Sequence, residues 1–164
     1  MTDYNDTPNS YYGFHIGGKY KSFDFSLIGQ GVLGRTIQLR TLVMAGSNNN
    51  GYINQFSTQA WTETNLSATY PRLGISDRGN NTADSDFWLR SGNYMRLKSV
   101  EFGFTIPSSV TDRLNIRSLR IYLNGFNLLN FNKTGVDVDP EMPFAGYNSY
   151  PYVRTLTAGL NLKF

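Results

Sequence analysis

The sequence predicts an all-β chain of about five antiparallel, up-and-down strands. Three observations carry this. Aromatic residues make up 15 % of the 164 positions (11 Phe, 11 Tyr, 2 Trp), whereas charged residues reach only 16 %. Gly (16) and Asn (17) are abundant; aromatics and Thr favour strands, and Gly and Asn favour turns. Apolar residues alternate with polar ones in several runs, at the two-residue period of a half-buried strand.

The first run, about 12–20, places Phe14, Ile16, Gly18 and Tyr20 on one face and Gly13, His15, Gly17 and Lys19 on the other. The second, about 22–34, sets Phe23, Phe25, Leu27, Gly29, Gly31 and Leu33 against Ser22, Asp24, Ser26, Ile28 and Gln30. Only Lys21 and Ser22 separate them, so they form a tight hairpin. The period dissolves over 36–86, which contains Gly46-Ser47-Asn48-Asn49-Asn50-Gly51, Tyr70-Pro71 and Arg78-Gly79-Asn80-Asn81-Thr82, all turn chemistry. It returns over 94–107, where Val100, Phe102, Phe104 and Ile106 alternate with polar residues up to Pro107. A fourth run, 117–130, carries Leu119, Ile121 and Leu123, and its parity slips near Gly125, Phe126 and Leu128-Leu129, as a β-bulge would require. A loop over 132–150 precedes the last run, 152–164, with Leu156, Ala158, Leu160, Leu162 and Phe164 on one face.

The connections run short, long, short, long. Successive turns of an up-and-down barrel fall on opposite rims, so both long loops share one rim, the asymmetry of an outer-membrane barrel. The apolar runs match the roughly 9–11 residues a tilted strand needs to cross a bilayer. The alternation also explains how a spanning sheet coexists with a mean hydropathy of −0.37. The longest aliphatic run, Leu42-Val43-Met44-Ala45, is far short of the ~18 residues of a spanning helix.

Other functions are demoted by the residues. The net charge is +3 with no basic stripe, which disfavours nucleic acid as a partner. Cysteine is absent, excluding thiolate metal sites and cysteine nucleophiles within these residues. Gly13-Phe14-His15-Ile16-Gly17-Gly18-Lys19 fits the start of a phosphate loop, but Tyr20 stands where Ser or Thr must bind magnesium, and a strand follows instead of a helix. Asn130, Asn132, Thr134, Gly135 and Glu141 mimic a calcium loop without its first Asp or its flanking helices. A looser oxygen-ligand site from Asp137, Asp139 and Glu141 stays open beside the default of solvated carboxylates. His15 lies mid-strand on a polar face, and Asp84 and Asp86 lie in a loop with nothing to bury them. The chain therefore reads as a non-enzyme with no catalytic residue, metal site or cofactor. Trp61, Tyr70, Tyr147 and Tyr150 lie in the long loops, where a ring face beside Asn and Arg suits sugar or peptide binding. Trp88 and Tyr94 are expected in the interfacial aromatic girdle of a barrel.

These residues resemble a known family. Asp86-Phe87-Trp88-Leu89-Arg90-Ser91-Gly92-Asn93-Tyr94-Met95-Arg96-Leu97-Lys98-Ser99-Val100 is similar to a block of the TonB-dependent outer-membrane transporters of the SusC/RagA type. Gly103-Phe104-Thr105-Ile106-Pro107, the run Leu119 to Leu129 with Asn127, Asp139-Pro140-Glu141, Tyr150-Pro151 and Thr157 to Phe164 resemble further blocks, in order. Trp88, Tyr94, Arg96, Leu97, Asn127, Asp139, Pro140, Glu141, Tyr150 and Pro151 are the motif positions. The resemblance implies the C-terminal part of an importer of glycans, oligosaccharides or peptides, working with a SusD-like surface lipoprotein and with TonB, in the outer membrane. Phe164 resembles the terminal aromatic read by the barrel-assembly machinery.

Plugged transporter barrels have about 22 strands, so five form roughly a quarter of the circumference. Two open edges in lipid would leave about ten unpaired backbone groups, on the order of tens of kcal/mol, beyond any domain's net stability. The expectation is a fragment of a longer protein, from a truncated gene or a misplaced start, with plug and signal peptide encoded upstream. The reading from a different class is a soluble β-sandwich carbohydrate-binding module built on Trp61 and Trp88. Sequencing the DNA upstream of Met1 separates the two: the fragment reading expects several hundred in-frame codons, and a promoter and ribosome site at Met1 would refute it.

Overall fold

A computed structural model of the chain describes residues 4–40, 56–74, 79, 81, 83–135, 139–141 and 153–164. Seven strands are described: β1 (Ser10–Tyr20), β2 (Phe23–Leu33), β3 (Thr36–Gln38), β4 (Leu89–Ser91), β5 (Tyr94–Thr105), β6 (Ser118–Asn132) and β7 (Thr155–Lys163). Five of them form one antiparallel sheet in the order β1-β2-β5-β6-β7. β1 and β2 pair from Ser10↔Leu33 to Tyr20↔Phe23, so the turn is the two residues Lys21-Ser22, with Lys21 at a φ of 54°. Between β5 and β6 the chain makes a single helical turn, α1 (Ser108–Thr111), and a 3-10 turn, Asp112–Leu114, ended by Asn115 at a φ of 54°.

The pairing turns the alternation into two faces. Tyr20, Phe23, Phe104, Ile121 and Leu160 form one cross-strand row; Gly18, Phe25, Phe102, Leu123 and Ala158 form the next. Ile16, Leu27, Val100, Gly125 and Leu156 form a third. This apolar face is uncovered: Leu123 is 62 % exposed, Leu160 67 % and Leu156 79 %. With strands ~4.8 Å apart and a rise of ~3.3 Å per residue, these rows belong to a patch on the order of 500 Å², at the upper end of what monomeric soluble proteins expose.

The opposite face is polar and tied by charge. Arg120 on β6 reaches across β5 to Asp24 on β2, with Nε donating to Oδ2 at 3.0 Å and Nη2 donating to Oδ1. The same Nη2 donates to Glu101 Oε1 at 2.8 Å, and Asn124 Nδ2 donates to Glu101 Oε2 at 3.1 Å. Gly103 lies beneath this bridge, where a Cβ would collide with the guanidinium and with the Asp24 carboxylate. Any larger side chain there would push these side-chain tips aside, and glycine leaves them room.

The parity slip near Gly125 is a register shift in which Leu97 pairs with Leu129 and Ser99 with Phe126. On the β2 side the shift leaves Lys98 without an opposed residue between Gly29↔Leu97 and Ile28↔Ser99. Asn127, within the shift, has a φ of 55°, a conformation Asn tolerates better than most residues, and its Nδ2 donates to Val153 O at 3.3 Å.

The stretch expected to be irregular carries structure of its own. β3 pairs with β4, Leu39 N donates to Trp88 O at 2.9 Å, and Ile37, Leu39, Phe56, Tyr70 and Trp88 form a small buried core with Leu73 against it. This corrects the girdle expectation. Trp88 is 2 % exposed, packed parallel to Tyr70 at 6.4 Å and edge-on to Phe87 at 4.8 Å. Tyr94 is 7 % exposed, on the polar face. Neither ring is presented at the rim of the apolar face: Trp88 is packed into the loop core and Tyr94 is bonded to Glu141 on the polar side. Asp84 is exposed but bonded, accepting from Gln38 Nε2 at 2.8 Å and from Arg40 Nη1 at 2.5 Å.

Substituting Gly103→Val should displace the Arg120 guanidinium and cost about 1–3 kcal/mol, the price of partly buried charged groups losing their bonds. Denaturant unfolding measures it, and an unchanged midpoint would show the bridge to be dispensable.

Candidate functional site

Two constellations lie at the end of the sheet that carries the long connections. The first is an ion cluster on the polar face. Tyr94, Arg96 and Lys98 come from β5 and Gln30 from β2, brought side by side by the pairs Gln30↔Arg96 and Val32↔Tyr94. Over them lies Asp139-Pro140-Glu141. Arg96 is 3 % exposed and donates from Nη1 to Glu141 Oε2 at 2.6 Å and from Nη2 to Asp139 Oδ1. Tyr94 Oη donates to Glu141 Oε1 at 2.6 Å, and Gln30 Nε2 donates to the same oxygen at 2.5 Å. Lys98 Nζ donates to Gln30 Oε1 at 3.0 Å, and the Arg96 guanidinium also faces the Tyr94 ring at 5.5 Å. From the far side Arg35 donates to the Pro140 carbonyl while its Nη2 pairs with Asp6 at 2.9 Å. Pro140 is fully buried, and Glu141 N donates to Asp139 Oδ1 at 2.9 Å.

A buried arginine facing two carboxylates is charge-compensated, and the two hydrogen bonds fix its geometry as well as its charge. Both carboxylates are thus engaged by Arg96, which argues against the looser oxygen-ligand site; Asp137 lies outside the described residues. Among the described residues no group of three His, Cys, Asp or Glu could hold a metal ion. Asn132 Oδ1, which the calcium-loop mimic would need, accepts instead from Thr134 N at 3.1 Å and Thr134 Oγ1 at 2.7 Å.

The second constellation is an open cleft of about 500 Å³ in the loop layer, lined by Trp61, Tyr70, Arg72, Asn81, Phe87 and Trp88 among others. A parallel bridge, Ala60↔Tyr70, with Trp61 N donating to Tyr70 O at 2.9 Å, holds Trp61 beside Tyr70. Tyr70 and Trp88 are buried, whereas Phe87 is exposed and Trp61 half-buried. The arrangement offers ring faces, an amide and a guanidinium to a ligand.

Of the remaining positions named from the sequence, Leu97 is half-buried on the apolar face and Phe164 is fully exposed. Tyr147, Tyr150 and Pro151 lie outside the described residues. His15 Nε2 and Ser26 Oγ are 3.0 Å apart on the polar face, and the phosphate-loop look-alike is part of β1. The Arg120 bridge and the loop core were missed by reading the sequence. The only available signal for the bridge was that a chain so poor in charge places Asp24, Glu101 and Arg120 on polar positions of three strands.

The chain is 32 % identical over 173 residues to TonB-dependent receptor P3 of Formosa agariphila and 30 % identical over 175 residues to TonB-dependent receptor P26 of the same organism. Each alignment covers 96 % of this chain. Over nearly its whole length the chain matches one part of the TonB-dependent receptors. It spans 16 % and 17 % of the length of these two relatives. No family model matches it. Its fold superimposes on the RagAB peptide importer in the open-open state with a TM-score of 0.69 at 24 % identity, covering 99 % of this chain and 18 % of that one. A further structure of the RagAB peptide transporter gives the same TM-score and the same coverage at 25 % identity. The five-stranded sheet therefore matches the barrel portion of such a transporter.

Glu141 lies outside the strands. Burial alone would raise its carboxyl, but the hydrogen bond from Tyr94 and the charges of Arg96 and Lys98, with the bond from Gln30, outweigh burial and hold it below the ordinary glutamate range. A carboxyl lowered on folding contributes stability in full above its unfolded value and loses it as pH falls through the folded value. Protease nicking near 139–141 in the assembled protein should therefore stay constant from neutrality down to the ordinary glutamate range and rise progressively from there downward. A rise that begins at higher pH would show that a different group holds the segment.

Proposed function

We propose that this chain is the C-terminal wall segment of an outer-membrane, TonB-dependent importer of glycans, oligosaccharides or peptides. The observation that carries the reading is the sheet with an uncovered apolar face and a charged, hydrogen-bonded opposite face. In a barrel the first faces lipid and the second the lumen. A soluble sandwich would need a second sheet over the apolar face; among the described residues the other sheet is the three-residue pair β3–β4.

In this reading the strands contribute wall, and the connections 34–93 and 133–154 lie on the extracellular rim. Trp61 and Tyr70, with Tyr147 and Tyr150, supply ligand contacts; the cleft that joins Trp61 and Tyr70 to Phe87 and Arg72 supports this for the first two. Asn127 and Leu97 serve the wall, and Phe164 serves barrel assembly. A SusD-like lipoprotein and TonB are the expected partners of the whole protein, and transport rather than catalysis is its task. The names of the relatives and the superposition on a peptide importer support this, while the choice between glycan and peptide rests with the ligand itself.

The test uses the full-length gene. Leu123→Arg places a charge in the middle of the apolar face and should cost about 2–4 kcal/mol of barrel stability, read as loss of the heat-modifiable band in outer-membrane fractions. Ser26→Arg on the polar face should assemble normally. Equal tolerance of both would overturn the lipid assignment. Trp61→Ala should leave assembly intact and weaken capture of the imported oligomer by about 0.5–1.5 kcal/mol, the worth of one aromatic contact, in uptake by whole cells.

A further inference from the structure

The ion cluster has a consequence beyond wall-building. Asp139-Pro140-Glu141 belongs to the connection that leaves the sheet at Asn132 and returns at Thr155. At these three residues that connection is fastened to the polar face from both sides. Arg96 grips both carboxylates, Tyr94 and Gln30 grip Glu141 again, and Arg35 takes the Pro140 carbonyl. The fastening spans β2 and β5 and closes over a fully buried proline. Exposure decreases inward, from 32 % for the Glu141 side chain through 12 % for Asp139 to 3 % for Arg96. The Arg96 end of the cluster is thus shielded from water, and there a charge-assisted pair is strongest.

We infer that Arg96 is a positioning residue for this connection: it holds Asp139-Pro140-Glu141 as a fixed staple on the polar face of β2 and β5. The stapled residues are then part of the wall bordering the substrate path. The reference to a substrate path rests on the importer reading; the staple itself does not.

Proline has no N–H to lose at position 140, and the chain has no cysteine, so a single thiol introduced there reports on the staple. The full-length receptor carrying Pro140→Cys, with any cysteine outside these residues replaced, is purified in detergent and labelled with a bulky maleimide. The thiol should be protected while the staple holds. Adding Asp139→Asn with Glu141→Gln should speed labelling at least tenfold while heat modifiability of the barrel is unchanged. That variant leaves the Arg96 charge uncompensated and can fail to assemble; a version that also carries Arg96→Met removes all three charges and should give the same acceleration.

An unchanged labelling rate in an assembled release variant would overturn the inference. The single variant Pro140→Cys keeps every charge of the cluster, and labelling of its thiol at the rate of a freely exposed cysteine would overturn the inference without relying on any release variant. Failure of the importer reading is seen elsewhere, as absence from the outer-membrane fraction, and leaves the labelling ratio in detergent readable.

Discussion

A β-strand sends neighbouring side chains to opposite faces, and in this sheet the two faces have opposite solvent preferences. The rest of the structure depends on that constraint. Across β1, β2, β5, β6 and β7 the same parity is kept, so Phe25, Phe102, Leu123 and their neighbours share one surface. A shift of one residue in any pairing would exchange faces for a whole strand. The register is pinned by the polar side: Arg120 meets Asp24 and Glu101 only when β2, β5 and β6 are aligned as they are. The apolar face supplies the driving force in its surroundings, and the salt bridges choose one alignment among several that would bury similar area.

The break at Lys98 and Asn127 fits the same constraint. A bulge changes which residues oppose each other and increases local twist. Here it separates two polar groupings on the wall, the Arg120 bridge on one side and the Arg96 cluster on the other. Beyond the bulge Leu97, Met95, Leu129 and Phe131 stay on the apolar parity while Arg96 and Tyr94 stay on the polar one. The charged side chains of β2, β5 and β6 are therefore gathered at two places, each spanning two or three strands.

The main sheet was legible from the alternation because a half-buried strand writes its orientation into every second residue. Val100, Phe102 and Phe104 needed no tertiary information to be placed together. The aromatic residues of 56–94 were less legible. Trp88 and Tyr94 have the composition of a membrane-interface girdle, but Trp88 is buried against Tyr70 and Tyr94 is bonded to Glu141, 47 positions away. Amphipathic rings suit either environment, so composition could not distinguish them.

The sequence by itself determined the strand class, the two-faced sheet and the family resemblance, because these depend on local period and on ordered motifs. It also marked Arg96, Asp139 and Glu141 as motif positions without saying what joins them. Only the tertiary structure decided that a buried guanidinium grips both carboxylates, that Gly103 clears the path of Arg120, and that the first long connection has a core of its own. These are contacts between residues tens of positions apart, and their energies depend on distance and burial, which no local period records.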